Sequence, residues 1–299
     1  MDVILSEAKN LLLLLNFSLR RILHAYIPTG ILEHLHWRIN MKRFFLSFIT
    51  FIIFTIASKA AEITVYAAAD LTYAFTEIEK VYENKFPKDK LKIIYGSSGK
   101  GYTQIINGAP YDIIFSADMG YIEKLKQQGY IISEVKPYAV GRIVLWTFKN
   151  SGIDISKGTN IISDPKVKKI AIANWEHAPY GIAAKECLEH YKLFDKVKNK
   201  LVLGENISQT AQYVETSAAD IGFIALSIAK SDKLIREGVY YLLPDTCHKQ
   251  ILQGAGILKN ASSDKEKLEA TKRFFNFMST SEARKIMIKY GFVLPGEKD

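Results

Sequence analysis

From Glu62 onward the chain alternates between two periodicities, and that alternation limits the folds open to it. The stretch "ITVYAAA" (63–69) reads as a strand, "LTYAFTEIEKVYENKF" (71–86) carries the apolar spacing of a helix, and "LKIIYG" (91–96) is a strand again. The pattern runs on through helix "GYTQIINGA" (101–109), strand "YDIIFSA" (111–117), helix "GYIEKLKQQG" (120–129), strands "GRIVLWTF" (141–148) and "KIAIANW" (169–175), and helix "YGIAAKECLEHYKL" (180–193). Strand "KLVLGE" (200–205), helix 207–218, strands 220–226, 238–243 and 250–258, and terminal helices 263–278 and 280–290 complete it. Strands separated by helices pair in parallel, because a crossover brings the chain back running the same way. The expected class is α/β, with mostly parallel sheets flanked by helices.

The alternation begins only after a different kind of segment. Residues 41–60, "MKRFFLSFITFIIFTIASKA", place Lys42 and Arg43 before the apolar run Phe44–Ile56 and end on the small-x-small site Ser58-Lys59-Ala60. That is the layout of a signal peptide, and the run is short for a membrane span. Met41 is therefore the expected start, and residues 1–40 an upstream extension wrongly joined to it. No cysteine lies at the cleavage site, so a lipid anchor is not expected there, and an exported soluble chain fits a periplasm. The first 60 residues carry seven Lys/Arg and three Asp/Glu, which lowers the formal charge from +9 for the whole sequence to +5 for residues 61–299. The lysines are scattered along helix faces without interleaved aromatics, so no nucleic-acid partner is expected. Cys187 and Cys247 are the only cysteines. A disulfide in an oxidising compartment and two free thiols both remain open.

In open parallel sheets the ligand crevice lies beyond the carboxyl ends of the strands, where helices begin. Four strand-to-helix turns stand there: "AAADLT" (67–72), "GSSGKG" (96–101), "EHAPYG" (176–181) and "GENISQ" (204–209). The second does not meet the phosphate-loop spacing, since Gly96 and Gly99 are too close and Lys100 precedes Gly101. Taken alone, its serines read as an ordinary N-cap. Four such turns together offer unpaired N–H groups at the positive ends of helix dipoles, which hold an anion without a lysine or arginine. Ser97 and Ser98 are the expected grip on an oxyanion.

The other chemistry-bearing residues carry less. His177 reads as a structural donor, and His177, His190 and His248 are too widely spread for a metal triad. Ser116-Ala117-Asp118 lacks the glycines of a nucleophile elbow, and Asp118 reads as an N-cap. Tyr240 and Tyr241 read as an apolar pair on a strand. No catalytic set and no cofactor are expected.

The segments "VYAAADLT" (65–72), "GSSGKGYTQIINGAPYDIIFSAD" (96–118), "YAVGRIVLW" (138–146), "APYGIAAKE" (178–186), "SAADIGFIAL" (217–226) and "KYGFVLPG" (289–296) resemble, in order, the periplasmic molybdate-binding proteins of ATP-driven importers. The resemblance implies a two-lobed type II periplasmic binding protein fold with the ligand cleft between lobes. Lobe 1 would comprise 61–139 and 246–299, and lobe 2 would comprise 140–245. It further implies a non-enzymatic monomer that binds molybdate or tungstate and hands it to the membrane permease of an ABC importer; the alternatives are a receptor for another oxyanion or a ferric ion, or an exported enzyme on the same fold. Carried over residue by residue, the oxyanion would be held by the main-chain N–H groups of Asp70, Tyr180 and Ile207 and by the hydroxyl and N–H of Ser98. Ala69 and Ser97 would complete the wall. A tyrosine hydroxyl that some relatives place after "GFI" is replaced by Ala225. Asp70 stands where serine or asparagine is usual; its carboxylate is expected to turn away from the anion and cap the helix at Thr72 or Tyr73, leaving affinity nearly flat between pH 6 and 8, against the rival readings that it is protonated and donates to the oxyanion or that it ligates a cation such as ferric iron.

Overall fold

Two five-stranded sheets of the same design organise residues 61–296, the part of the chain that the computed structural model describes. The expected signal peptide and the extension at 1–40 lie outside the described residues. The chain opens with β1 (Ala61–Ala68), a 3-10 turn (Ala69–Leu71), α1 (Thr72–Lys85), β2 (Asp89–Gly96), α2 (Ser98–Ile106), β3 (Ile113–Ser116), α3 (Met119–Gln127) and β4 (Lys136–Gly141). It then crosses into β5 (Ile143–Phe148), β6 (Ile170–Ala173), α4 (Pro179–His190), α5 (Phe194–Val197), β7 (Leu201–Gly204), α6 (Ile207–Glu215), β8 (Ile221–Ala225), α7 (Leu226–Ala229), α8 (Asp232–Glu237) and β9 (Gly238–Leu242). It returns with β10 (Ile251–Ile257), α9 (Lys265–Phe277) and α10 (Ser281–Lys289).

The sheet orders are β2-β1-β3-β10-β4 and β7-β6-β8-β5-β9. In each, the first three strands run parallel, and the first strand after a crossing enters antiparallel to both neighbours: β10 between β3 and β4, β5 between β8 and β9. The result is a two-lobed α/β fold. Strands β3, β6 and β8 are buried at every residue, as central strands covered on both faces must be. Helices α9 and α10 belong to the first sheet. Arg273 reaches back to Asp89 through two hydrogen bonds of 3.0 and 2.7 Å, and Tyr82 donates to the same carboxylate at 2.6 Å. Phe75, Phe115, Tyr82 and Phe274 meet edge-on beneath them.

Two segments differ from the sequence expectation. The stretch 141–148 is not one strand. It breaks at Arg142, so that β4 closes the first sheet and β5 opens the second. Pro137 lies on β4, an edge strand, where a residue without an N–H is tolerated. Helix α2 begins at Ser98, three residues before its expected start. Its glycines are there for close packing: a Cβ on Gly99 would stand 2.8 Å from the His177 carbonyl, and one on Gly101 2.2 Å from the Tyr66 ring.

Cys187 on α4 and Cys247 on the returning crossover form a disulfide between residues 60 apart in sequence. Both cysteines are buried. The bridge ties the helix that starts at the cleft to the strap leading back to β10. Replacing both cysteines by alanine is expected to lower unfolding free energy by about 2–5 kcal/mol. Calorimetry of wild type with and without reductant should show a matching loss of several degrees in melting temperature; an unshifted transition would remove the bridge from the fold's support.

Candidate functional site

The carboxyl ends of β1 and β2 face those of β6 and β7, and all four helices that follow start at one cavity. It is small and is lined by Ala68, Ala69, Asp70, Gly96, Ser97, Ser98, Ala117, Ala178, Pro179, Tyr180, Asn206 and Ile207. All six residues singled out from the sequence, Ala69, Asp70, Ser97, Ser98, Tyr180 and Ile207, stand in this wall.

The local chemistry of each helix start decides which N–H groups remain to meet a ligand, since the first turn has no intrahelical acceptors. On α6, Asn206 accepts from the N–H groups of Ser208 and Gln209 at 3.0 Å each, which leaves that of Ile207. On α2, the Gly99 N–H is taken by the His177 carbonyl at 2.9 Å, which leaves that of Ser98. The Ser98 hydroxyl accepts from the Ala117 N–H at 2.9 Å, so its own proton is the part left to donate. On α4, Pro179 occupies the first position, where a missing N–H is harmless, and the next N–H belongs to Tyr180. The arrangement is a ring of neutral donors with no lysine, arginine or histidine side chain in its wall.

The two lobes meet around this ring. Gly99 and Ser97 contact His177, the latter through a 2.9 Å hydrogen bond between Oγ and Nδ1. Lys100 pairs with Glu205 at 3.1 Å, and Ser208 donates to the Ala69 carbonyl at 2.9 Å. His177 is thus a structural partner of Ser97. Its Nε2 lies 3.9 Å from Glu205, beyond hydrogen-bond distance, so serine, histidine and acid form no continuous relay.

Asp70 departs from its expected role. Its side chain caps neither Thr72 nor Tyr73; no side-chain cap is formed at the start of α1, and Thr72 Oγ1 itself donates to the Ala69 carbonyl at 2.7 Å. The carboxylate turns inward instead. Oδ2 accepts from the Tyr180 hydroxyl at 2.9 Å and from Gln253 Nε2 at 2.6 Å, while Oδ1 accepts nothing from the protein. Gln253 Nε2 also donates to the Tyr180 oxygen at 3.2 Å, and its Oε1 accepts from Tyr138 at 2.7 Å. The physical reason is that two amphipathic donors from α4 and β10 reach the carboxylate where the helix start offers only weak local bonds. Asp70 is 1% exposed. Burial pushes its carboxyl up to about 6, against the bonds from Gln253 and Tyr180 that pull it down. Burial likewise raises the hydroxyls of Tyr138 and Tyr180, and the charge of Asp70 adds to it.

Sequence reasoning missed Gln253, Tyr138 and Gly141. Gln253 carried a signal, an amide in the middle of the apolar strand "QILQGAGIL" that has to find partners once buried. Ala225 ends β8 with no donor; two residues on, the Ser227 hydroxyl donates to the Asp70 carbonyl at 2.7 Å. Asp118 caps α3 as expected, accepting from Gly120 at 2.8 Å.

A family model described as bacterial extracellular solute-binding protein matches residues 63–293. A Rhodobacter capsulatus protein named molybdate-binding protein ModA is 34% identical over 239 residues, covering 79% of this chain and 90% of its own. A Bacillus subtilis (strain 168) protein described as a putative ABC transporter substrate-binding lipoprotein is 34% identical over 242 residues, 80% of this chain and 88% of its own. Among solved structures, the Azotobacter vinelandii periplasmic molybdate-binding protein superposes with a TM-score of 0.71 at 31% identity, covering 78% of this chain and 99% of that one.

Gly141 gives the site its sharpest structural test. A Cβ there would lie 2.2 Å from the Tyr180 hydroxyl and 2.7 Å from Gln253 Nε2. Gly141→Ala should therefore push the two apart and cost about 1–3 kcal/mol in urea unfolding; a midpoint within error of wild type would show that the cluster is not held there.

Proposed function

This chain belongs to the bacterial extracellular solute-binding protein family, and we propose that it captures molybdate, and tungstate with it, and delivers the ion to the membrane permease of an ABC importer. The observation that carries the proposal is the ring of neutral donors, drawn from four helix starts in two lobes, around one small closed cavity. A dianion leaving water needs a hydrogen bond for each oxygen lone pair it strips. Main-chain N–H groups at helix starts supply these together with the favourable end of the dipole, each such end contributing about 0.3–1 kcal/mol. We assign direct contact to the N–H groups of Asp70, Ser98, Tyr180 and Ile207 and to the Ser98 hydroxyl, with Ala69 and Ser97 as wall. The names borne by the Rhodobacter and Azotobacter relatives support this cargo.

Because the donors belong to helix starts and their distances are set by two packed lobes, the cage discriminates by size. An oxyanion with long metal–oxygen bonds fills it; sulfate and phosphate, with shorter bonds, are under-coordinated. The wall presents donors, where a ferric ion would need oxygen acceptors, so an anion is the better reading. An enzyme is disfavoured because Ser97 reaches His177 but Glu205 stands 3.9 Å from the imidazole, too far to orient it as a base. We read the chain as a non-enzymatic, monomeric receptor with no cofactor and no nucleic-acid partner.

We further read Met41–Ala60 as its export signal and 1–40 as an upstream extension. With no cysteine at Ser58-Lys59-Ala60, the mature chain is soluble, unlike the Bacillus relative described as a lipoprotein. The Cys187–Cys247 disulfide fits an oxidising compartment such as the periplasm. Lobe 1 is assigned to 61–139 and 246–299, and lobe 2 to 140–245, with closure between them as the binding motion.

Scanning calorimetry of the mature protein should show a large rise in melting temperature with molybdate or tungstate and little with sulfate or phosphate. Equal stabilisation by sulfate would sink the size argument. A hydrogen bond to a charged group contributes about 1.5–3 kcal/mol, so Ser98→Ala should weaken molybdate binding about ten- to a hundred-fold. Titration calorimetry should rank Ser97→Ala as the milder change; the reverse order would make Ser97 the hydroxyl donor.

A further inference from the structure

Asp70 sets a charge problem that the ring of donors does not solve. Its backbone lies in the wall of the anion cavity and its carboxyl lies directly behind, 1% exposed, with one oxygen receiving no hydrogen bond from the protein. The groups that face it are all neutral. Tyr180 on α4 and Tyr138 on β4 carry hydroxyls held protonated by burial, and β10 contributes the Gln253 amide. Helices α6 and α7 bring the Ser208 and Ser227 hydroxyls onto the carbonyls of Ala69 and Asp70, and α1 brings the Thr72 hydroxyl. Helix α2 brings Ser98, whose hydroxyl is engaged with Ala117. At the cleft mouth Lys100 pairs with Glu205, which His177 also approaches, and at the crossover Arg142 lies 3.4 Å from Asp245. Among the described residues no cationic side chain forms an ion pair or hydrogen bond with Asp70.

The carboxyl is sealed by both lobes. Asp70 and Gln253 come with the first sheet, Tyr180 with the second, and the contact sits against Gly141 where the chain crosses between them. Opening the cleft would return the carboxyl to water, where it ionises as an ordinary aspartate. Closing removes that water and supplies only neutral donors to one of its two oxygens. A dianion in the same cavity adds repulsion at low dielectric, and a like charge disfavours ionisation further. The carboxyl already stands at about 6 from burial.

We propose that the cavity takes up a proton together with its anion, the proton passing from bulk buffer to Oδ1 of Asp70 as the lobes close. The ligand is then a dianion plus one proton, and Asp70 is the proton site. The inference rests on the oxyanion reading above. The linkage follows in sign: the closed, loaded state holds more protons than the open one, so affinity rises as pH falls. Molybdate stays a dianion between pH 6 and 8, so a change over that range belongs to the protein. This reverses the flat pH response that a helix-capping Asp70 would give.

The test is titration calorimetry with sodium molybdate at pH 7 in a series of buffers of differing ionisation enthalpy. The slope of observed heat against buffer enthalpy counts protons. Wild type should take up close to one proton per molybdate, and its Kd should tighten about ten-fold per pH unit from 8 to 6. Asp70→Asn, which keeps the backbone N–H and the side-chain shape, should take up none and lose the pH dependence. Molybdate binding to wild type with no proton uptake overturns the proposal and leaves the oxyanion reading standing. Equal uptake by wild type and Asp70→Asn also overturns it, since the proton then sits elsewhere. No heat and no melting shift with molybdate in any buffer overturns both. The wild-type proton count decides the matter even if the variant does not fold.

Discussion

The bond from the Tyr180 hydroxyl to the Asp70 carboxylate joins the two lobes at the back of the cleft, and the geometry of the site depends on it. Tyr180 brings two groups to the same place. Its backbone lines the cavity at the first turn of α4, and its hydroxyl is fixed by Asp70, whose own backbone forms part of the same wall. A buried hydrogen bond of this kind is costly to leave half-made. It therefore favours one closing position over neighbouring ones. Gln253 bridges the pair to Tyr138, and Gly141 lets them approach, so four elements agree on a single position for the donors.

The convergence of helix starts has a topological cause. Each sheet places three parallel strands side by side, and right-handed crossovers put the following helices at the carboxyl end. Two such sheets facing one another bring their carboxyl ends together, so donors from 67–72 and 96–101 meet donors from 176–181 and 204–209. The two antiparallel strands, β5 and β10, are the first strands after each crossing and lie toward the middle of each sheet. That places the crossovers beside the cleft, where Gly141 and the Cys187–Cys247 bridge lie next to the helix that carries Tyr180.

Much of this was legible in the sequence, because local rules govern it. The strand and helix order followed from periodicity, and the four turns identified the cavity wall because small residues and N-caps mark helix starts. Asn206 and Asp118 do what their positions suggest, each capping the next turn. Failures occurred where a distant partner overrides a local preference. Asp70 precedes a helix and reads as a cap, yet Tyr180 is 110 residues away and Gln253 183, and no local pattern announces either bond. Gly99 reads as a turn residue, yet it lies in a helix, where His177 needs the space. The break at Arg142 was hidden for a similar reason: β4 and β5 are contiguous in sequence but belong to different sheets.

A cage of neutral donors also explains why a fixed cation is absent from the wall. A lysine or arginine would attract every anion and would remain as an uncompensated charge in a closed cavity after release. Backbone N–H groups carry no net charge and cannot adjust their length, so they distinguish anions by size while allowing the empty site to exist without a counter-ion. Asp70 extends that logic to the protein's own charge. A carboxyl that is ionised in water and neutral when enclosed presents no permanent negative field to the arriving dianion. The lobes then close over a site whose charge has been adjusted by one proton, without a side chain moving into the cavity to do so.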